Sequence, residues 1–61
     1  MNTEYIATVV AETGADTLRV PVGSDVSAEG ITVEETDDEI QCSASVAEFL
    51  RDGIVVARAR I

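Results

Sequence analysis

Five carboxylates fall within six consecutive positions, residues 34 to 39, and carboxylate oxygens are ligands that calcium and magnesium prefer. A calcium loop, however, wraps six to eight oxygens around its ion and turns sharply at a glycine. Residues 31–42 contain no glycine, and consecutive acids on a strand point to opposite faces of the sheet. We therefore predict that the run is the solvated tip of a β-hairpin and that it holds no metal.

The basic residues are few enough to be conspicuous. The chain has four arginines and no lysine against twelve acids, which gives a net charge of −8. Arg19, Arg58 and Arg60 lie on segments that we expect to be strands, and a guanidinium group can bind phosphate or carboxylate with two hydrogen bonds. Two interpretations stay open: a contact with a partner or an anion, or cross-strand pairing with the abundant Glu and Asp side chains. The abundance of acids favours the pairing.

Catalytic chemistry has little support in this composition. The chain has no histidine, one tyrosine and one cysteine, so a general base that works near neutral pH would have to be a perturbed carboxylate. Cys42 cannot form an internal disulfide, and its place in an apolar alternation predicts a small buried side chain. We expect no catalytic residue, no cofactor and no enzyme activity.

The acidic, lysine-free composition is similar to that of proteins from organisms that accumulate salt in the cell. In molar salt the Debye length falls to about 3 Å, so repulsion among surface carboxylates is screened. The high net charge then keeps the protein soluble at little cost to folding. The first residues carry no secretory signal and no run is apolar enough to span a membrane, so we expect a cytoplasmic protein.

Alternation of apolar and polar residues with a period of two predicts a single small domain, 1–61, that is α+β and mostly β. We expect a small antiparallel sheet, or a partly open barrel, with one short helix between the last two strands. In the segment SVAEFLRDG, 45–53, Ser45 and Glu48 have the spacing of a capping box, and Gly53 suits a helix exit. The five predicted strands are 3–12, 17–22, 31–35, 39–44 and 54–61.

The predicted core draws on apolar residues from every element. Because one seven-residue helix leaves most of a sheet face uncovered, we expect a homo-oligomer, with a dimer favoured. The predicted core residues are Ile6, Val9, Val10, Leu18, Val20, Val22, Ile31, Val33, Ile40, Cys42, Phe49, Leu50, Ile54 and Val55.

Two short stretches resemble known families. Residues 35–38, ETDD, are similar to the hairpin motif of lipoyl and biotinyl carrier domains, but Asp38 stands where those domains carry the modified lysine, which excludes a working carrier. Residues 18–35 resemble the strand, turn and strand of swapped-hairpin AbrB-type DNA-binding domains, with their basic residues reduced to Arg19. That second resemblance implies contact with nucleic acid.

These observations predict a non-catalytic protein-interaction or assembly module, an oligomeric acidic β protein of the halophilic type with a further protein partner still to be identified. The alternative is a small regulator associated with nucleic acid, which contacts a polyanion through Arg19, Arg58 and Arg60.

Overall fold

The chain folds into one helix packed on a four-stranded mixed sheet, in a computed structural model that describes residues 3–38, 40–42 and 45–61. Among these residues the elements are α1 (Thr3–Thr13), β1 (Thr17–Pro21), β2 (Thr32–Thr36), β3 (Val46–Arg51) and β4 (Ile54–Arg60). The strand order across the sheet is β2-β1-β3-β4. The prediction of an α+β, mostly β domain is therefore confirmed, whereas the number of strands and the position of the helix are wrong in detail.

The first segment is a helix, not the predicted strand 3–12. Ile6 and Val9 are three residues apart, so on a helix they share the face that the sheet buries. Gly14, with φ of +72°, ends the helix, and its N–H donates to the carbonyl of Val10 at 2.8 Å. The β-branched residues of this segment favour a strand, but an apolar helical stripe that can cover the sheet outweighs that preference.

Residues 46–51 form the inner strand β3 instead of the predicted helix 45–53. β3 pairs antiparallel with β1 on one side and with β4 on the other. The β3–β4 connection is the two-residue loop Asp52-Gly53, with φ of +52° and +80°. Positive φ at both positions is the mark of a type I′ turn, which joins two antiparallel strands tightly. Gly53 therefore closes a hairpin and does not end a helix.

The sheet is mixed because β1 and β2 run parallel, with Leu18 aligned to Val33. Residues 22–31 connect them and lay Val26, Ala28 and Ile31 against the core. The predicted strand 39–44 is not a strand where it is described: residues 40–42 form a turn, and residues 39, 43 and 44 lie outside the described residues. The predicted hairpin with an acidic tip is thus replaced by an edge strand, β2, followed by a turn.

The core lies between α1 and one face of the sheet. Phe49, Leu18 and Val20 are the largest side chains that are fully buried, and Ile6, Val9, Ala15 and Ala47 complete the cluster. Three residues predicted for the core are instead exposed: Val22 at 61%, Ile54 at 67% and Ile40 at 94%. Val22 and Ile40 lie beyond the ends of the strands that would have buried them. Ile54 begins the edge strand β4 directly after the turn.

Candidate interaction surface

Three charged side chains line up across the face of the sheet opposite the core. The register aligns Glu48 of β3 with Arg19 of β1 on one side and with Arg58 of β4 on the other. Cross-strand partners project from the same face of a sheet, and so do residues two apart on one strand. Arg60 therefore lies on this face too. We call this the arginine face, defined by Arg19, Glu48, Arg58 and Arg60.

Glu48 holds the centre of the arginine face and is buried, with 5% of its surface exposed. The Nε–H of Arg58 donates to Glu48 Oε2 at 3.1 Å, and Arg19 Nη1 lies 3.7 Å from Oε1. Oε1 is buried and accepts no hydrogen bond from the described residues. The carboxylate therefore depends on its two arginines, because a buried charge is costly unless oppositely charged groups surround it.

Arg19 and Arg58 differ in how much of each side chain is exposed and could contact a partner. Arg19 is mostly covered, with 22% of its side chain exposed, and its Nη1 also donates to Gln41 Oε1 at 3.0 Å. Arg58 has 67% of its side chain exposed, and of its N–H groups only Nε–H donates to a described residue. Glu48 thus fixes the guanidinium of Arg58 at one nitrogen and leaves the remaining N–H groups on the surface.

Arg60 lies one pleat beyond Arg58 on β4, opposite Val46. Its side chain is exposed, and it forms no ion pair within the described part of the chain. The three arginines singled out from the sequence therefore share one face. Arg19 and Arg58 form the cross-strand pairs with an acid that were the alternative to anion binding.

Sequence reasoning missed Glu48, because its spacing from Ser45 suggested a helix cap. The signal that could have identified it is the Asp-Gly pair at 52 and 53, flanked by apolar residues, which predicts a hairpin. On a hairpin with that turn, Glu48 and Arg58 fall close together on facing strands. The turn alone would pair Glu48 with Ala57, because Arg51 faces Ile54; the register shift between Phe49 and Leu50 is what aligns Glu48 with Arg58.

Cys42 borders the arginine face and is buried at 4% exposure, as predicted. Its thiol donates to the carbonyl of Val46 at 2.8 Å and lies 3.7 Å from the carbonyl of Arg19. Burial raises the pKa of the Cys42 thiol; the Glu48 carboxylate adds to the rise and Arg19 opposes it. The neutral thiol is a poorer nucleophile than the thiolate, and the buried side chain packs beside the arginine face.

The acidic run of the sequence lies at the other edge of the sheet. Glu34 and Glu35 are exposed on β2, and Asp37 follows the strand. The carboxylate of Asp38 accepts hydrogen bonds from the N–H groups of Ile40 at 2.9 Å and Gln41 at 3.4 Å, which closes the turn after β2. Over residues 3–38, 40–42 and 45–61, no three acidic or thiol side chains gather as metal ligands.

The two edges of the sheet carry opposite charge. β2 bears Glu34 and Glu35 and no base, whereas β4 bears Arg58 and Arg60, and residues 54–61 contain no acid. Each edge strand has one hydrogen-bonded neighbour in the sheet. Ile54, 67% exposed, and Ile61, 38% exposed, flank the β4 edge with apolar surface.

A shallow groove of about 360 Å³ lies on the opposite side of the molecule, between α1 and the connection that precedes β2. Small and apolar side chains line most of it, among them Ala7, Val10, Ala11 and Ala28. Thr3 and Glu29 are the polar residues among the described ones that line it.

Comparison of the chain with protein-family models, with curated proteins and with solved structures finds no significant match. The two short resemblances in the sequence therefore gain no support. The stretch 18–35 also holds two parallel strands, which cannot form the hairpin of the DNA-binding domains. Within the described ranges, no helix has the length and apolar character needed to cross a membrane.

Proposed function

We propose that the chain is a non-catalytic assembly module of the cytoplasm, which associates with further copies of itself through its open sheet. The observation that carries this proposal is the β4 edge. It is seven residues long, contains no proline and no acid, and is flanked by the exposed side chains of Ile54 and Ile61. Native edge strands are normally protected by short length, proline or charged side chains, and the first four residues of β4, 54–57, contain neither a proline nor a charge.

Less apolar surface is left uncovered than the sequence predicts. The segment 3–12 is not a two-sided strand but a helix that covers one face of the sheet. What supports oligomerisation is therefore the region around β4 alone, where Val55 and Val56 are only half-buried and Ile54 is exposed. The smallest product of such association is a dimer.

Sedimentation over a concentration series in molar KCl tests the proposal. We expect the mass to rise above that of a monomer with concentration, and Ile54→Ser to weaken the association because it removes exposed apolar surface beside β4. Val22→Ser is the matched control, because Val22 is exposed to a similar degree, 61%, on a different strand end. A wild-type chain that stays monomeric throughout the series would contradict the proposal.

A second function follows from the arginine face. Arg58 and Arg60 are exposed on one surface of an otherwise acidic molecule, and arginine is suited to phosphate. A regulator that contacts a polyanion would bind labelled DNA or RNA saturably in a salt series, with binding that survives high salt. Replacing both arginines by alanine would abolish it. Absence of binding to the wild-type chain would exclude this function and leave the assembly module.

A further inference from the structure

The free edge of β4 presents the backbone groups of its two arginines. Ile61 donates its N–H to the carbonyl of Ser45, so the backbone polar groups of Ile61 point toward β3. Backbone groups alternate in direction along an antiparallel strand, so those of Arg58 and Arg60 point away from β3. Each exposed guanidinium thus accompanies an N–H and a C=O that no neighbouring strand of the sheet engages.

The free edge of β2 presents the backbone groups of Val33 and Glu35. The N–H of Thr32 donates to the carbonyl of Asp16, and the carbonyl of Thr36 accepts from Val22, so residues 32 and 36 point toward β1. By the same alternation Val33 and Glu35 point outward. Glu34, the register partner of Arg19, projects from the arginine face of the sheet.

The strand directions make the two edges compatible. β2 is parallel to β1, β1 is antiparallel to β3, and β3 is antiparallel to β4, so β2 and β4 run in the same direction. A second copy moved sideways across the sheet, without rotation, brings its β2 beside β4 as a parallel neighbour. The arginine faces of the two copies then form one continuous surface.

We propose that β4 of one copy pairs in parallel with β2 of a second copy, with Arg58 opposite Glu34, so that the sheet continues from molecule to molecule. In this register the N–H of Arg58 donates to the carbonyl of Val33, and the N–H of Glu35 donates to the carbonyl of Arg58. On the core face, Val33 meets Ala57, and both are half-buried in the single chain. This inference rests on the proposed function and names its partner surface.

Charge selects this pairing over the symmetric ones. Two β4 strands side by side would bring the arginines of both copies together, and two β2 strands would bring together Glu34 and Glu35 of both; like charges on paired strands are unfavourable. The mixed pairing sets the acid-free edge against the base-free edge. Because it uses different surfaces of the two copies, each dimer keeps one free edge of each kind and can extend further.

Proline substitutions on the two edges test the pairing. Arg60→Pro removes an outward N–H from β4, and Glu35→Pro removes one from β2; neither N–H belongs to the ladder inside the sheet, so each variant should fold. We expect each variant alone to sediment as a monomer. An equimolar mixture should form a one-to-one dimer that grows no further, because only one edge of each variant remains competent.

Arg60→Gln and Glu35→Gln are the matched controls, since they remove the same charges and keep the N–H groups; they should weaken association without abolishing it. A mixture of the proline variants that stays monomeric overturns the inference. So does self-association by Glu35→Pro alone, which would indicate a symmetric β4 pair and leave the assembly module standing. A monomeric wild type overturns both.

Amide hydrogen exchange of the wild-type chain gives a second readout that does not depend on how the proline variants fold. The amides of Arg58 and Arg60 should exchange more slowly at high protein concentration than at low concentration, because pairing with β2 engages both: the N–H of Arg58 donates to the carbonyl of Val33, and the N–H of Arg60 donates to the carbonyl of Glu35. Unchanged exchange at both amides in the associated protein would overturn the pairing.

Discussion

Glu48 is the residue on which the arginine face depends, and its burial makes its two partners unequal. Arg58 supplies the hydrogen bond at 3.1 Å, whereas Arg19 supplies attraction from 3.7 Å together with cover from solvent. A buried carboxylate that loses its hydrogen-bond donor bears the full cost of desolvation. An apolar residue of similar size at the same position would bear no such cost.

The first prediction is a double-mutant cycle on this pair. Arg58→Ala should lower the free energy of unfolding by about 1.5 to 3 kcal/mol, because it leaves the buried carboxylate of Glu48 without its hydrogen-bond donor. In a Glu48→Leu background the same change should cost well under 1 kcal/mol, since no buried carboxylate remains that could lose its donor. Urea unfolding of the four proteins gives the coupling. Equal costs in both backgrounds would show that Glu48 does not need Arg58.

Asp16 joins three parts of the sheet at one residue. Its N–H donates to the carbonyl of Leu50 and its carbonyl accepts from Thr32. Its carboxylate accepts from the N–H of Asp52 at 3.1 Å and from the hydroxyl of Thr17 at 2.9 Å. These donors favour the ionised form, so the pKa of Asp16 lies below its ordinary value, with the Asp52 N–H as the largest cause.

The second prediction concerns the pH dependence that follows. Because the pKa of Asp16 is lower in the folded chain than in the unfolded chain, its stabilising contribution is complete above the ordinary carboxyl value of about 4 and disappears as the pH falls through the lower, folded value. Asp16→Asn should therefore lose less stability than wild type on acidification. Urea midpoints across that range measure the difference. Asp25→Asn, at an exposed aspartate, should follow the wild-type curve.

At the scale of elements, the residues that alternate cleanly could be assigned from the sequence. Segments 17–22, 31–35 and 54–61 became β1, β2 and β4 because one side of each strand is apolar or the ends carry turn residues. Two segments, 3–12 and 46–51, fit both the helical period of 3.6 residues and the strand period of two. In the first segment Ile6, Val9 and Val10 suit a helix, whereas the β-branched residues suit a strand. Only the need to cover one face of the sheet decides between them.

The partners of each strand could not be predicted from the chain in the same way. The parallel pairing of β1 and β2 depends on the connection 22–31 crossing over the core, and no local pattern encodes that path. The arginines could be placed on strands but not related to Glu48, because their contact depends on the β1–β3–β4 order. The prediction that the acidic run is exposed is confirmed at Glu34, Glu35, Asp37 and Asp38.

The third prediction tests the turn that makes residues 46–60 a hairpin. Gly53→Ala should lower the free energy of unfolding by about 1 to 2 kcal/mol, because alanine is strained at positive φ. No atom lies within 4 Å of the position that the added methyl would occupy, so the cost belongs to the backbone alone. Asp52→Asn should stay within about 0.5 kcal/mol of wild type, since asparagine tolerates the same φ. Equal stability of Gly53→Ala and wild type would argue against a type I′ turn.

At the scale of the whole molecule, the charges are divided between the edges of the sheet. The net charge of −8 repels any second copy, yet the β4 edge contributes only positive charge. Pairing of β4 with β2 of a second copy therefore brings two acidic molecules together by setting the basic edge of one against the acidic edge of the other. Salt screens the long-range repulsion more than it weakens ion pairs in direct contact.

The fourth prediction follows from the same net charge and concerns folding rather than association. Measured in the Arg60→Pro background, to keep the chain monomeric, the melting temperature should rise by several degrees between about 0.1 M and molar KCl, where the Debye length falls from about 10 to about 3 Å. In a domain of this size each 1 kcal/mol corresponds to roughly 4 to 8 °C. Circular dichroism of thermal unfolding measures the shift.

The control for this prediction removes charge without touching the core. In the Arg60→Pro background, whose net charge is −9 because one arginine is lost, Glu29→Gln, Glu34→Gln and Asp37→Asn together change the net charge to −6, because three negative charges are lost at exposed positions. If self-repulsion is what salt relieves, this variant should melt higher than its parent at low salt and gain less from KCl. If both proteins show the same rise in melting temperature with KCl, the rise would come from stronger apolar burial at high salt and not from screened repulsion. Both proteins have the same core, so that contribution would be equal in the two.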